Sequence, residues 1–210
     1  IINRTATIKS WQKIALLVLG IIWSILFIAL PLLGNNIAWL KPLLTKDAFA
    51  MANIEAAVSW NYFLLIPGVL FLAAVITSFI FLQKKKFQKA FALLFIACIG
   101  AMQVLLTSFA PRIEQYSQHA AIEFFESLQG KDVYIKTLGY KSYAQYFYTR
   151  IKPGQRKESK DEVWLLTGAV DKPTYFISKN TYEPEVMKNY ADKVEVIGRK
   201  NGFIFYKRKG

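Results

Sequence analysis

Three long runs of uncharged, mostly apolar residues occupy the first half of the chain. They are residues 14–33, 62–82 and 91–110. Each run has about 20 residues, which lets an α-helix cross a hydrocarbon core of ~30 Å at ~1.5 Å per residue. The alternative, three buried helices of a soluble protein, is less favoured because such helices are shorter and keep a polar face. The pattern therefore predicts three transmembrane helices.

The second half of the chain has short periodic patterns of apolar residues in place of long apolar runs. Apolar residues recur every three or four positions in 111–130, which predicts a helix that Pro111 separates from the third span and that ends at Gly130. Alternation predicts strands over 131–139 and 172–179, and a hairpin over 194–208 with Asn201-Gly202 as its turn. Further helices are predicted over 141–150 and 183–193. Another is predicted from a Ser159–Glu162 capping box to Gly168, with Trp164, Leu165 and Leu166 packed inward. The order, a helix and then β-α-α-β-α-β-β, predicts a sheet with helices packed on it.

The distribution of charge sets the predicted orientation. The net charge is +13, but residues 1–110 hold nine Lys or Arg and two acids, whereas residues 111–210 hold 18 and 12. Lys84, Lys85, Lys86 and Lys89 fill the connector 83–90, and Arg4, Lys9 and Lys13 precede the first span. Short loops rich in lysine and arginine stay in the cytoplasm. A nucleic-acid role is excluded for lysines held at the bilayer surface.

The predicted fold class is thus a membrane protein with three transmembrane α-helices followed by a small extracytoplasmic α/β domain. Residues 1–110 form the membrane region and residues 111–210 the outer domain. The loop 34–61 also lies outside, and the connector 83–90 inside. The protein is expected to be a multi-pass protein of the inner, cytoplasmic membrane.

The outer loop 34–61 is amphipathic and contains candidate binding residues. A helix is predicted from Lys46 to Ser59 with Thr45 as its N-cap. In one interpretation the loop walls a lipid-linked substrate, with Lys41 or Lys46 near phosphate and Asp47 or Glu55 near a sugar. In the other, which is favoured for any single residue, an interfacial helix carries solvated charges.

The outer domain contains one polar and aromatic cluster, composed of Lys141, Ser142, Tyr143, Tyr148 and Arg150. Aromatic rings with an arginine can bind sugars or phosphate. The favoured alternative is that the tyrosines pack on the sheet. We expect packing for Tyr143 and keep Arg150 as the candidate ligand contact.

The sequence carries no recognised catalytic signature. It has no P-loop, GxSxG or GxGxxG motif. Its single cysteine, Cys98, cannot form a disulfide within the chain, and its single histidine, His119, cannot form a histidine cluster. His119 is expected on a helix surface. No catalytic residue, metal ligand or cofactor is assigned.

Several segments resemble bacterial membrane glycosyltransferases of family 39, akin to protein O-mannosyltransferases and the aminoarabinose transferase of lipid A. They are KDVYIKTLGYKSYAQYFYTR, WLLTG, DKPTYFISK and NGFIFYKR, with DAFAMAN and VSWN in the loop. The resemblance, which covers most of the chain, implies the C-terminal part of a GT-C fold, a polyprenyl-phosphate sugar donor and a glycan, lipid or protein acceptor on the outer face.

The resemblance also implies an inverting mechanism in which a carboxylate of the family's first outer loop acts as general base. That region would precede Ile1, so none of the residues is assigned this role and the chain alone is expected to be inactive. The alternative is a non-enzymatic membrane-anchored module whose small outer α/β domain serves as a sensor or in assembly.

Overall fold

A computed structural model describes residues 8–151 and 155–210. Arg4 of the predicted basic flank lies outside these residues, as does part of the predicted loop 151–161. The chain divides into two compact units. A helical unit comprises residues up to Leu40 and Val58–Ile113, and an α/β unit comprises Lys41–Ala57 and Glu114–Gly210.

The regular elements follow one another along the chain in nearly the predicted order. The helices are α1 (Ser10–Asn35), α2 (Lys41–Leu44), α3 (Ala48–Asn53), α4 (Ile66–Gln83), α5 (Phe87–Val104), α6 (Ala110–Ser117), α7 (His119–Ser127), α8 (Ala144–Tyr148), α9 (Glu162–Thr167) and α10 (Glu183–Tyr190). The strands are β1 (Tyr134–Leu138), β2 (Thr174–Lys179), β3 (Val194–Lys200) and β4 (Phe203–Arg208).

Within the described residues, three helical stretches are long and apolar enough to cross a membrane. They are Ser10–Asn35, Tyr62–Gln83 and Phe87–Ser117. Each contains one of the predicted spans, and a small mixed α/β region follows the third. The predicted fold class is therefore confirmed at the level of three membrane-length helices and a small α/β domain.

The basic flanks of α1 and α4 meet at one end of the helical unit. Lys13 Nζ donates a hydrogen bond to Gln83 Oε1 at 3.4 Å, which joins the start of α1 to the end of α4. The next three residues, Lys84 to Lys86, are exposed, and Lys85 turns the chain with a φ of 57°. The positively charged segments thus share one end, as the orientation argument requires.

Pro111 does not end the third span, so that prediction is wrong. Helix α5 continues through a π-helical turn, Leu105–Phe109, into α6, which contains Pro111. Proline has no backbone N–H and its ring crowds the carbonyl four residues earlier, and a π turn relieves both by shifting the hydrogen-bond register. Arg112 Nη1 also donates to the carbonyl oxygen of Ser108 at 2.6 Å. The helix instead ends at Ser117, and α7 begins after Gln118.

The α/β unit is built on a four-stranded sheet, counted over the described residues, with strand order β1-β2-β4-β3. β1 and β2 run parallel, with Tyr134 opposite Thr174, and the other neighbours are antiparallel. Asn201 and Gly202 have φ values of 46° and 79°, which fits the positive φ that a two-residue hairpin turn needs. The predicted hairpin is confirmed.

Helices cover both faces of the sheet. One face packs against α7 through a cluster that includes Phe125, Ile135, Ile177 and Phe205. The other packs against α9 and α10 through a cluster with Leu165, Leu166, Val186, Phe176 and Tyr206. Neighbouring residues of β1, β2 and β4 enter opposite clusters because side chains alternate across a sheet. The unit therefore has three layers, helix on sheet on helix.

The capping box predicted at Ser159 is wrong. Asp161 caps α9, since its Oδ1 accepts a hydrogen bond from the backbone N–H of Val163 at 2.9 Å. The Ser159 hydroxyl donates to the carbonyl oxygen of Arg156 instead. A carboxylate caps well and sits closer to the helix, so it takes the role. The predicted end of the helix at Gly168 is confirmed.

Candidate functional site

The segment between the first and second spans packs into the α/β unit. The ring of Phe49 meets that of Phe203 edge-on, with centroids 5.1 Å apart, and Lys179 Nζ lies 4.6 Å from the Phe49 centroid. Asn180 Nδ2 donates to the carbonyl oxygen of Ala48 at 3.0 Å. A segment that precedes two of the long apolar helices thus belongs to the same compact unit as the domain that follows them.

The candidate residues of this segment are at its surface. Lys41, Lys46 and Asp47 are exposed. Asp47 Oδ1 accepts hydrogen bonds from the backbone N–H groups of Phe49 at 3.0 Å and Ala50 at 2.9 Å, and so caps α3. The predicted helix 46–59 with Thr45 as cap is wrong, because Asp47 satisfies two free N–H groups at the start of a shorter helix. The proposed contacts of Lys41, Lys46 and Asp47 with substrate stay predictions.

A cleft of about 580 Å³ opens at the carboxyl ends of β1 and β2. We call it the strand-end cleft. In open α/β sheets, ligands bind in the crevice outside the carboxyl ends of parallel strands, and this volume is typical of ligand pockets. The lining residues come from β1, its following loop, α8, the start of α9 and the turn after β2: Lys136, Thr137, Gly139, Tyr140, Lys141, Ser142, Tyr143, Gln145, Tyr146, Lys160, Asp161, Glu162 and Tyr182.

Aromatic rings form much of the wall of the strand-end cleft. Tyr143 and Tyr146 lie with centroids 6.4 Å apart. Tyr182 packs over Gly139, whose φ of 74° and lack of a Cβ allow the close approach. Burial raises the pKa of the Tyr140 phenol, so the group stays protonated and can donate a hydrogen bond.

The prediction that Tyr143 packs on the sheet is wrong. Its side chain is 80% exposed. Helix α8 has little more than one turn, and Ala144 and Tyr148, four residues apart, are the pair that packs on the sheet. Tyr143 and Phe147 form the opposite pair and face outward. The packing expected of Tyr148 is confirmed.

Charged groups of both signs line the strand-end cleft. Lys136 Nζ donates to the carbonyl oxygen of Lys160 at 2.7 Å, and Asp161 is engaged as the cap of α9. Burial raises the pKa of the Glu162 carboxyl, an effect that Lys136 opposes and Asp161 reinforces. Lys141 and Lys160 are exposed. Three lysines face two carboxyls, so the cleft carries an excess of one positive charge and favours an anion.

Gln145 is the lining residue with an unused polar atom. It is 2% exposed, and its Oε1 has no hydrogen-bond partner within the part of the chain that the structure describes. By contrast, the Thr137 hydroxyl donates to the carbonyl oxygen of Tyr140 at 2.9 Å, and Ser142 Oγ accepts from the backbone N–H of Ala144 at 3.1 Å. A buried acceptor without a partner costs ~1–3 kcal/mol, so a ligand donor at this position would stabilise the side chain.

The structure divides the residues of the predicted polar and aromatic cluster. Lys141, Ser142 and Tyr143 line the strand-end cleft, whereas Arg150 does not. Arg150 is exposed just after α8 with a φ of 50°, and its contact with a ligand stays a prediction. His119 is exposed, as expected. Among the described residues there is no group of His, Cys, Asp and Glu that could hold a metal ion.

Sequence reasoning missed Tyr140, Gln145, Lys160 and Tyr182. Both strands were predicted, and the parallel pairing of β1 with β2 would have pointed to the residues after their carboxyl ends. That pairing joins segments about 40 residues apart and leaves no local signal, so only the tertiary structure reveals it.

Comparison with known proteins gives a distant likeness. Crystal structures of ArnT from Cupriavidus metallidurans, in the apo state and bound to undecaprenyl phosphate, are similar to this chain at 11% and 12% sequence identity. Each match has a TM-score of 0.49 and covers 97% of this chain and 38% of the ArnT chain. The chain thus spans 38% of the length of the structures it matches. No protein-family model and no curated protein matches it.

Proposed function

We propose that this chain is the C-terminal part of an integral-membrane glycosyltransferase of the GT-C type, related to family 39. The enzyme moves a sugar from a polyprenyl-phosphate donor to a glycan, lipid or protein acceptor on the outer face of the inner membrane. Three helices of membrane-spanning length, the basic segments at one end of the helical unit and the resemblance of the outer segments support this proposal.

The observation that carries the proposal is the docking of the segment 41–57 in the α/β unit. Through Phe49 and Ala48 it joins a loop between two spans to the domain that follows the third. We infer that this compact unit lies on a single side of the bilayer and is built from segments that leave the membrane at two points. Such a body is suited to handle a donor whose sugar and phosphate lie at the membrane surface while its chain stays in lipid.

The proposal assigns roles to exposed residues at that surface. Lys41 and Lys46 neutralise the donor phosphate, because ammonium groups on flexible stems pair well with phosphate oxygens. Asp47 accepts hydrogen bonds from a sugar with the carboxylate oxygen that its cap leaves free. Arg150 contacts a glycan or a phosphate group. None of these residues is proposed to perform the chemical step, for which the general base lies elsewhere in the native enzyme.

Transfer by the native membrane protein that carries this chain tests the proposal. The purified protein is reconstituted in liposomes with undecaprenyl phosphate that carries a radiolabelled hexose, together with membrane extract as the source of acceptor. The expected result is loss of label from the lipid and its recovery on an acceptor, at a rate well above that of protein-free liposomes. The double variant Lys41→Ala/Lys46→Ala should slow the reaction. The matched control is Lys157→Ala, since Lys157 is an exposed lysine outside the segment 41–57.

Two other outcomes contradict the proposal. Binding of the lipid without any loss of label, across a panel of donor hexoses, favours the alternative of a non-enzymatic membrane-anchored module with an outer sensor or assembly domain. If the protein shows no binding of the lipid and no transfer of the label, a polyprenyl-phosphate donor is contradicted altogether.

A further inference from the structure

The strand-end cleft contains groups that the fold does not need. The Oε1 atom of Gln145 is buried and has no partner among the described residues, although Gln145 lines the cleft. An apolar side chain of the same shape would remove the cost of this unpaired acceptor. The Oε1 atom itself has almost no accessible surface, so a ligand hydroxyl would donate to it, and so remove the cost, after the amide turns toward the cleft.

The exposed ring of Tyr143 is a second such group. It lies at the start of α8, 80% exposed, beside the ring of Tyr146 at a centroid distance of 6.4 Å. An exposed aromatic face in a cleft offers apolar contact to flat, weakly polar surfaces, such as the C–H face of a sugar ring. Tyr140 and Tyr182 extend the aromatic lining inward.

The charge of the strand-end cleft indicates the charge of its ligand. Lys141 and Lys160 are exposed along its lining, and Lys136 lies beneath them with its Nζ on the Lys160 carbonyl oxygen. The lining also holds two carboxyl groups, Glu162 and Asp161, which caps α9 with one of its oxygens. Three lysines against two carboxyls leave an excess of one positive charge, which favours an anion.

We propose that the strand-end cleft binds an acidic saccharide: a sugar ring that stacks on Tyr143, donates a hydroxyl hydrogen bond to Gln145 Oε1 and presents an anionic substituent to Lys141. The inference concerns binding by the α/β unit alone. It stands whether or not the native protein transfers sugar, so a binding measurement can fail independently of the proposed function.

Binding is measured on the full chain in lipid nanodiscs by saturation-transfer NMR. Three matched probes separate the proposed contacts: glucuronate, glucose, which lacks the carboxylate, and acetate, which lacks the ring. A small sugar acid in a preformed cleft is expected to bind with a Kd on the order of 1 mM. Glucuronate should bind about tenfold more tightly than glucose, and acetate should give no saturable signal.

Matched variants locate the binding in the cleft. Tyr143→Ala should weaken glucuronate binding about fivefold, whereas Phe147→Ala, an equally exposed aromatic of the same helix outside the cleft, should have no effect. Lys141→Ala should weaken it about tenfold, and Lys157→Ala is the control for charge. Tyr143, Phe147 and both lysines are exposed, so these variants should leave the Tm unchanged.

Gln145→Met gives a signature that a purely structural residue would not produce. Methionine has a similar shape but no acceptor, so the Tm should stay equal or rise while the Kd for glucuronate increases about fivefold. A lower Tm with unchanged binding overturns the role of Gln145. Saturable acetate binding with the same affinity reduces the cleft to a simple anion site and overturns the proposal. Failure of glucuronate to bind, or binding that ignores both Tyr143→Ala and Lys141→Ala, overturns it as well.

Discussion

Replacing Phe49 by alanine should release the segment 41–57 from the α/β unit. The ring is half-buried and touches Phe203 edge-on, Lys179 lies above its face, and Gly202 of the hairpin turn packs against it. A hydrogen bond from the Asn180 side chain to the Ala48 carbonyl oxygen is a second docking contact. We expect the ring to supply a large part of the docking energy.

The magnitude follows from these contacts. Truncating a fully buried phenylalanine costs ~3–5 kcal/mol, and about half of that applies to a half-buried ring. The edge-to-face pair contributes ~0.5–1.5 kcal/mol and the contact with the Lys179 ammonium group ~0.5–1 kcal/mol within that total. A loss of about 2 kcal/mol raises the population of the undocked segment about thirtyfold.

Limited trypsin digestion measures that population. The bond after Lys46 is a suitable site, since Lys41 is followed by Pro42 and resists cleavage. Cleavage that requires local opening tracks the open population. Mass spectrometry should show about thirtyfold faster cleavage after Lys46 in Phe49→Ala.

Leu43→Ala is the matched control, because Leu43 lies in the same segment and is 78% exposed. Its cleavage rate should match that of the unmodified protein. An unchanged rate in Phe49→Ala would refute the docking, and with it the observation that carries the proposed function.

Three further outcomes are expected in the α/β unit, each measured by thermal and chemical unfolding followed by near-ultraviolet circular dichroism. Asp161→Ala should lower the free energy of unfolding by about 1 kcal/mol through loss of the α9 cap, and Asp161→Asn should have little effect. Arg208→Ala should lower it by about 2 kcal/mol, because its guanidinium holds the last carbonyl oxygens of α9 at 2.7 and 2.8 Å, and Arg208→Lys should restore part of the loss. Burial raises the pKa of Glu162 above the ordinary 4.5, so the folded state favours the proton. The contribution of this group to stability should be fully present below pH 4.5 and be lost as the pH rises through the folded pKa, so the stability difference between the unmodified protein and Glu162→Gln should change over that range.

The periodic patterns predicted the helices and strands well because each pattern reports burial directly. The apolar runs mark the three long helices, and the alternating segments mark β1, β2 and the hairpin with its Asn201-Gly202 turn. These features are local or depend on composition, so the amino-acid sequence of one protein is enough to predict them.

The errors arise where competing local solutions exist or where distant segments meet. Pro111 stays inside a helix because a π turn absorbs it, and Asp47 and Asp161 replace Thr45 and Ser159 as caps. The sequence offers both cap residues at each helix, and the fold decides between them.

The candidate site was found only in part because segments distant in the sequence meet to form it. Lys141 and Tyr143 stand out as polar and aromatic, but Tyr182 joins them through the parallel pairing of β1 and β2. The unpaired oxygen of Gln145 becomes visible only once its surroundings are known.

The central claim is that the α/β unit, with the docked segment 41–57, works on the outer face of the membrane. Single cysteines are introduced in a Cys98→Ser background as Lys46→Cys, Glu158→Cys and Lys86→Cys, all at exposed positions. Intact spheroplasts are treated with a membrane-impermeant maleimide, and all three variants should be labelled after permeabilisation. The account predicts that positions 46 and 158 are labelled in intact spheroplasts and position 86 is not. Labelling of position 86 alone would contradict the orientation and the outer-face transfer that depends on it.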